Sequence, residues 1–285
     1  MKTIIGLGEA LWDCLPEGRK LGGAPANFAY HSKANGCHGV VISAVGNDDL
    51  GDEIVQQLDE KKLQLAIART EQPTGTVRVT LSGNGIPSYD ICRGVAWDNI
   101  PWTEELQKLA YKCDAVCFGS LAQRSEVSRD TIQKFLIATR PEALRIFDIN
   151  LRQQFYTAEI IDQSMKACNI LKINDEEWEI VRPMFGIEGT PETAEGIEEL
   201  VKRYELKMLI LTCGTKGSYV FTADGEKFFQ PTPLVEVVDT VGAGDSFTGT
   251  FVASIVKGLS IQEAHRKAVE ISAFVCTQAG PMPEY

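Results

Sequence analysis

The chain has 285 residues, and 28 lysine and arginine residues against 39 aspartate and glutamate residues give a formal net charge of −11 at pH 7. Hydrophobic residues make up 44% and charged residues 24% of the sequence, which is typical of a folded globular protein. This negative charge repels nucleic acid and anionic membrane surfaces, so we expect neither as a partner.

The sequence also favours a cytoplasmic location. No apolar run approaches the roughly 20 residues needed to cross a bilayer, and the N-terminal apolar stretch is too short for a signal peptide. The eight cysteines are scattered along a chain long enough to have its own core. We therefore expect a reduced, cytoplasmic protein.

Strand-like and helix-like segments alternate along the chain. Apolar runs typical of strands buried on both faces of a parallel sheet occupy residues 3–7, 40–45, 115–118, 145–149, 169–173 and 208–212. Helical patterns occupy residues 24–34, 49–61, 104–111, 130–139, 158–167 and 193–204. A strand-like run at 235–238 then precedes a helix to Lys257, and a capping box at Ser260 opens a helix to about Gln278. This alternation predicts an α/β fold with a central parallel sheet.

One segment departs from this alternation. Residues 76–81 alternate polar and apolar side chains, and a turn cluster at 82–85 lets residues 86–91 return as a hairpin. A hairpin is marginally stable alone, so we expect it to pair with residues 11–16. The sequence thus predicts a small β-sheet lid, formed by about residues 11–17 and 74–96, on one domain spanning residues 1–285. The edge of this lid also offers a surface for a homodimer.

The most informative motif is DTVGAGD at residues 239–245. Gly242, Ala243 and Gly244 allow close backbone approach, and amides at a helix N-terminus form an anion hole. Asp245 follows in the first helical turn, where a carboxylate can accept the proton of a hydroxyl that attacks phosphorus. Taken by itself, the pattern fits equally a helix start whose dipole is stabilised by an acidic residue.

Near the N-terminus, paired glycines precede a polar residue at the start of a predicted helix. Gly22 and Gly23 enter this helix ahead of Asn27, whose amide can hydrogen-bond a polyol. Upstream, Asp13 can hold two sugar hydroxyls at once. A glycine turn with a capping asparagine is the simpler interpretation of the same residues.

Two further clusters follow predicted strands. Asn174 and Glu177 fit a capping box, but the acidic residues there can also order a hydrated Mg²⁺ ion. Thr212, Gly214 and Gly217 suit either a phosphate or a simple hairpin. The sequence contains neither a P-loop pattern nor a complete dinucleotide-binding fingerprint.

Together, these clusters resemble the signatures of the ribokinase-like sugar kinases, also called the PfkB carbohydrate kinases. Residues 22–27 match the N-terminal signature, residues 239–249 the C-terminal one, Asn174 and Glu177 the N-x-x-E motif, and residues 212–217 the nucleotide loop. The resemblance covers about residues 3–281. It implies a three-layer α/β/α body with a mostly parallel sheet and a small β-sheet lid. It also implies transfer of the γ-phosphoryl group of ATP, with Mg²⁺, to a sugar hydroxyl.

The resemblance also implies roles for individual residues. Asp245 becomes the catalytic base, and the amides of Gly242, Ala243 and Gly244 become the anion hole. The implied sugar contacts, in addition to Asp245, are Asp13, Gly22, Gly23 and Asn27. The implied nucleotide contacts, in addition to Gly242 and Gly244, are Asn174, Thr212, Gly214 and Gly217. Glu177 serves Mg²⁺ through water, and Asp239 matches a position linked to a monovalent cation such as K⁺.

Residues 148–152 bear on the choice of sugar. Their sequence DINLR resembles the D-x-N-x-R motif of fructokinases and keto-deoxysugar kinases. In an extended chain the three polar residues share one face, from which Arg152 can reach a phosphoryl oxygen or a sugar group. The opening GEALWD at residues 8–13 also looks fructokinase-like. We expect fructose first, 2-keto-3-deoxygluconate second, and ribose or a nucleoside third.

A protein of a different class fits the same motifs. A catalytically silent sensor of sugars or nucleotides would bind these ligands without releasing ADP. The presence of Asp245 and of the three anion-hole residues argues for the enzyme.

Overall fold

The structure, a computed structural model, describes residues 1–15, 18–81, 87–189 and 195–285. Its strands are β1 (Thr3–Leu7), β2 (Leu11–Leu15), β3 (Gly18–Gly22), β4 (His38–Gly46), β5 (Gln64–Thr70), β6 (Gly75–Leu81), β7 (Pro87–Ile91), β8 (Ala115–Phe118), β9 (Leu144–Asp148), β10 (Ile170–Asn174), β11 (Met208–Thr212), β12 (Ser218–Thr222) and β13 (Lys227–Gln230). Its α-helices are α1 (Ala24–Ala34), α2 (Asp49–Glu60), α3 (Glu104–Lys112), α4 (Glu126–Ala138), α5 (Ala158–Ala167), α6 (Asp175–Met184), α7 (Glu195–Arg203), α8 (Ala243–Val256) and α9 (Ile261–Cys276). Among these described helices, none combines the length and apolarity needed to span a bilayer.

The larger sheet is the middle layer of the molecule. Within the described residues it has nine strands in the order β13-β12-β11-β10-β9-β8-β1-β4-β5. Neighbours from β11 to β5 are parallel, whereas β12 and β13 pair antiparallel. Ile4 and Ile146 belong to the core shared with α1, α8 and α9, while Ile5 and Phe147 belong to the core shared with α3 to α7. Because successive strand residues face opposite sides, both faces are covered, which confirms the three-layer α/β/α body.

A smaller sheet contains four described strands in the order β3-β2-β6-β7. The predicted hairpin is confirmed, because β6 and β7 pair antiparallel. Its predicted partner is also confirmed, since β2 pairs parallel with β6 from Leu11 opposite Gly75. The sequence analysis did not identify β3, which pairs antiparallel with β2. The predicted lid segments also include residues 16, 17 and 82–86, which lie outside the described residues.

The strand predicted at residues 235–238 is wrong. The described chain between β13 and α8 has no regular secondary structure there, and Leu234 and Val238 are 100% and 63% exposed. The amide of Val238 donates to the carbonyl of Cys276 at the end of α9, with an N–O distance of 2.8 Å. A β-branched composition favours extended backbone, but a strand also needs a neighbouring strand to pair with.

Candidate active site

Two cavities open where the carboxyl ends of the parallel strands face the N-terminus of α8. Ligands of open α/β sheets bind at this edge, where the direction of strand order changes. The larger cavity has a volume of about 460 Å³ and the smaller one about 330 Å³. Lys172, Asn174, Thr240 and Gly244 line both cavities. The two cavities therefore meet at the end of β10 and the start of α8.

The larger cavity brings together the predicted nucleotide-loop residues. Thr212, Gly214 and Gly217 all line it. Its apolar wall consists of residues that the sequence analysis did not assign to the site, which are Leu234, Val235, Val237, Val269, Ala273 and Cys276. Part of this wall is visible in the sequence as the valine-rich run at 235–238, which the sequence analysis interpreted as a strand. Cavity walls of this kind suit the flat apolar part of a ligand.

The smaller cavity brings together the predicted sugar contacts. Asp13, Gly22, Gly23 and Asn27 line it, beside apolar residues Leu11, Val77 and Ile91 of the smaller sheet. A Cβ atom on Gly22 would lie 2.5 Å from Oδ2 of Asp13, and one on Gly23 would lie 2.5 Å from the carbonyl oxygen of Glu9. Both positions therefore require glycine for Asp13 and the start of α1 to pack as they do.

Asp245 lies in the first turn of α8 and faces the smaller cavity. Nδ2 of Asn27 donates a hydrogen bond of 2.8 Å to Oδ2 of Asp245, which orients the carboxylate. Burial raises the pKa of Asp245, whereas the hydrogen bond from Asn27 and the charges of Lys172 and Arg152 lower it. A carboxylate with a raised pKa, held beside a cavity, is suited to accept a proton from a bound hydroxyl.

The predicted anion hole has two available amides instead of three. Gly242, with φ of 78°, precedes α8. The amide of Ala243 donates to the carbonyl of Thr240 at 3.2 Å. The amides of Gly242 and Gly244 have no such acceptor among the described residues. An anion at this helix start would therefore bind to these two amides, unless the Ala243 bond opened.

We expect the substitution Gly242→Ala to disrupt this helix start. A Cβ atom there would lie 2.5 Å from Cβ of Pro281, in a backbone conformation that glycine alone adopts easily. The resulting shift of the loop should lower kcat/KM for ATP by about 100-fold, measured in steady state.

The matched control for this substitution is Gly258→Ala. Gly258 follows α8 with φ of 92° and has nothing within 4 Å of its added Cβ atom. Its replacement should cost about 1 kcal/mol of stability from backbone strain alone and leave kcat/KM unchanged. Equal kinetics in the two variants would contradict the role given to the Gly242 turn.

Lys172 on β10 is the main site residue that the sequence analysis missed. Its side chain is buried and its Nζ atom lies 3.1 Å from Oδ1 of Asp148. Burial opposes its charge, but the carboxylates of Asp148, Glu177 and Asp245 outweigh burial and raise the pKa of Lys172. Burial raises the pKa of Asp148 to about 6, with Lys172 acting in the opposite direction. The only sequence signal was a lysine inside an otherwise apolar strand.

The expectation that residues 148–152 share one extended face is wrong. Strand β9 ends at Asp148, and Asn150 takes a left-handed conformation with φ of 44°. Asp148 points to Lys172, whereas Asn150 and Arg152 line the smaller cavity. The turn after the strand, rather than strand periodicity, therefore places Arg152 at this cavity. Burial raises the pKa of the Asp13 carboxyl, and the charge of Arg152 acts in the opposite direction.

The predicted metal residues are engaged by backbone groups. Asn174 and Glu177 form the predicted capping box of α6, and the other carboxylate oxygen of Glu177 accepts the Leu151 amide at 2.9 Å. Asp239 accepts hydrogen bonds from the amides of Val241, at 3.0 Å, and Gly280, at 3.3 Å. Within the described chain, no group of three or more His, Cys, Asp or Glu residues could hold a metal ion.

Known proteins resemble this chain over most of its length. The chain is 30% identical to a fructokinase from Salmonella typhimurium over 265 residues, which cover 87% of this chain and 83% of that protein. It is 28% identical over 279 residues to an ATP-dependent 6-phosphofructokinase from Thermoanaerobacterium thermosaccharolyticum, with 94% and 83% covered.

Solved structures resemble the fold described above. The crystal structure of an uncharacterized sugar kinase from Pyrococcus horikoshii matches with a TM-score of 0.83 at 26% identity, covering 99% of this chain and 94% of the other. The same kinase in complex with ATP matches with a TM-score of 0.82 at 25% identity and the same coverage. The sequence profile described as pfkB family carbohydrate kinase matches residues 17–284. This match, with the cavities and motifs at one edge of the sheet, shows that the chain is a sugar phosphotransferase that belongs to the pfkB family of carbohydrate kinases.

Proposed function

We propose that this chain transfers the γ-phosphoryl group of ATP to a hydroxyl of a small neutral sugar, with fructose as the first candidate. The observation that carries the proposal is the meeting of two cavities at Lys172 and Gly244, with Asp245 on the side of the smaller one. The nucleotide would occupy the larger cavity and the sugar the smaller one. The Pyrococcus kinase crystallised with ATP supports this choice of nucleotide.

The residues at the junction have complementary roles in this reaction. Asn27 holds Asp245 in place, and Asp245 removes the proton of the attacking hydroxyl. The amides of Gly242 and Gly244 and the ammonium group of Lys172 stabilise the negative charge on the transferring group. Arg152, on the sugar side, holds either a sugar group or a phosphoryl oxygen. Asp245 and Arg152 thus line the smaller cavity, while Lys172 and Gly244 line both cavities.

The residues around the junction are compatible with Mg²⁺. Mg²⁺ commonly keeps several waters and takes few protein ligands, which suits a site without three clustered acidic ligands among the described residues. Asn174, Asp175 and Glu176 line the larger cavity and would hold this hydrated ion, with Glu177 behind them. When bound, the ion neutralises phosphate charge. A K⁺ ion near Asp239 stays a prediction.

The charge of the smaller cavity favours a neutral sugar. Oε2 of Glu9 and Oδ1 of Asn27 are buried there without a hydrogen-bond partner, and both atoms are acceptors. Asp13 and Asp245 add two more carboxyl groups. A ligand rich in hydroxyl donors satisfies these atoms, whereas an anion would be repelled by them. Two cations, Arg152 and Lys172, also line this cavity, but Lys172 is already paired with Asp148. A sugar carboxylate would therefore have Arg152 alone as a partner against several acceptors, so fructose ranks above 2-keto-3-deoxygluconate.

The deciding experiment measures ADP release from ATP and Mg²⁺ with a panel of acceptors. The panel contains fructose, 2-keto-3-deoxygluconate, ribose, adenosine and fructose 6-phosphate, and we expect the highest kcat/KM with fructose. A preference for either anionic sugar would contradict the charge argument. Thermal stabilisation by a sugar without ADP release from any acceptor would identify a sensor instead of an enzyme.

The remaining features of the proposal concern the whole chain. We propose that the smaller sheet is the lid of one kinase domain spanning residues 1–285. Its outer edge is the surface on which a homodimer would form. A cytoplasmic location stays a prediction, as does the lack of nucleic-acid and membrane partners.

A further inference from the structure

Glu9 is a buried acidic residue to which the motifs assign no role, and the argument for a neutral sugar uses it only as one of several acceptors in the smaller cavity. It lies two residues after the end of β1 and is 3% exposed. The residue lines the smaller cavity and also a side chamber of about 10 Å³. Asp148, Asn150 and Asp245 line the same side chamber. Glu9 therefore lies beside the proposed base and does not line the larger cavity.

The two oxygens of this carboxyl group differ in their surroundings. The backbone amides of Ala24 and of Glu9 itself lower the pKa of the group, but Oε2 has no hydrogen-bond partner. Leaving a buried acceptor unpaired costs about 1–3 kcal/mol, so native sites supply a donor from the protein, from water or from a ligand.

A ligand hydroxyl is the donor that best fits Oε2. The side chamber, at about 10 Å³, is at the lower limit of space for one water molecule. The smaller cavity, at about 330 Å³, is large enough for a monosaccharide. Because Oε2 itself is buried, a hydroxyl in the smaller cavity reaches it once the Glu9 side chain turns toward that cavity.

We propose that Glu9 is a further sugar-binding residue, whose Oε2 accepts a hydrogen bond from a hydroxyl other than the one that Asp245 deprotonates. This inference rests on the proposed sugar kinase function. The charged groups around Glu9 are Arg152 from the loop after β9, Asp245 from α8, and Asp148 with its partner Lys172 from the neighbouring strands. Only the ionised carboxylate accepts with both oxygens, so the ionised form binds the sugar.

The protonation state of Glu9 should make sugar binding depend on pH. Burial raises the pKa of Glu9 to about 7, with Asp245 acting in the same direction and Arg152 in the opposite one. Because the ionised form binds sugar, kcat/KM for fructose should rise with pH through about 7. The stability of the sugar-free protein should change with pH in the opposite direction. It should fall as pH rises from 4.5 to about 7, because ionising a buried group costs stability.

The test compares the wild type with Glu9→Gln, which keeps the shape and removes the charge. We expect KM for fructose to rise about 10- to 100-fold and KM for ATP to stay within about twofold, as for loss of a hydrogen bond to a charged group. The rise of kcat/KM near pH 7 should disappear. Monodeoxy analogues of fructose complete a thermodynamic cycle. With the wild type, one analogue should have a KM raised as much as the KM of fructose is raised by Glu9→Gln. With the variant, the KM of this analogue should be no higher than that of fructose.

The outcomes separate this inference from the proposed function. Unchanged KM for fructose in a folded Glu9→Gln protein, with no analogue coupled to it, overturns the role of Glu9 and leaves the kinase assignment intact. Wild-type inactivity with fructose overturns the fructose assignment, and the same cycle is then run with the acceptor that does release ADP. If no acceptor does, both proposals fail. Should Glu9→Gln not fold, Glu9→Asp retracts the charged group and should raise KM in the same way.

Discussion

Replacing Asp245 by asparagine should lower kcat by about 10²- to 10⁴-fold while leaving ATP binding unchanged. The substitution keeps an oxygen that can accept the hydrogen bond from Nδ2 of Asn27, so the start of α8 stays in place. What is lost is the group that takes the proton from the attacking hydroxyl. In the proposed arrangement the nucleotide occupies the larger cavity, which Asp245 does not line, so the affinity for ATP should not change.

The measurement pairs single-turnover rates with ATP titration by calorimetry. Asp224→Asn is the matched control, because Asp224 lies exposed in the turn between β12 and β13 and should leave both quantities as in the wild type. Turnover of the Asp245 variant close to that of the control would remove Asp245 from the role of base. Loss of ATP binding would show instead that the helix start had collapsed.

Replacing Lys172 by methionine should reduce both stability and activity. The change leaves the carboxylate of Asp148 buried without the ammonium group that lies 3.1 Å away, and breaking a buried pair in this way costs about 3–5 kcal/mol. The same ammonium group faces both cavities, so its loss should also lower kcat by about 10²- to 10³-fold. Urea denaturation and steady-state kinetics measure the two effects separately.

The double variant Lys172→Met with Asp148→Asn separates structure from catalysis. Removing the unpaired charge should recover a large part of the lost free energy of unfolding, since no buried ion is then left alone. It should recover none of the activity, because the ammonium group of Lys172 is still missing from the junction of the cavities. If activity returned together with stability, Lys172 would have only a structural role.

Much of the fold follows from local patterns in the sequence. Strands β1, β8 and β11 and helices α1 and α5 have the predicted bounds, because apolar runs and helical periodicity depend on neighbouring residues alone. The capping boxes at Asn174 and Ser260 are local in the same sense. Edge strands such as β13 were missed, since their mixture of charged and aromatic residues does not form a continuous apolar run.

The functional site was predictable to the extent that glycines and motif order mark it. At Gly22, Gly23 and Gly242 an added Cβ atom would lie 2.5 Å from another residue, and this need for glycine is visible in the sequence. No local pattern in the sequence marks Lys172 or Glu9. Lys172 pairs with Asp148, and Glu9 lies beside Asn150 and Asp245, and these residues come together only in the folded chain.

The net charge of −11 follows from the sequence, but the positions of the charged groups follow only from the fold. By itself, the sequence determined the α/β alternation, the helix caps, the order of the motifs and an acidic surface. Only the tertiary structure decided that Lys172 lies at the junction of two cavities, that the amide of Ala243 is already occupied, and that Val235 and Val237 line a cavity. The physical reason is that periodicity and capping depend on residues a few positions apart, whereas burial, pairing of charges and the filling of a cavity depend on segments that meet only in the folded chain.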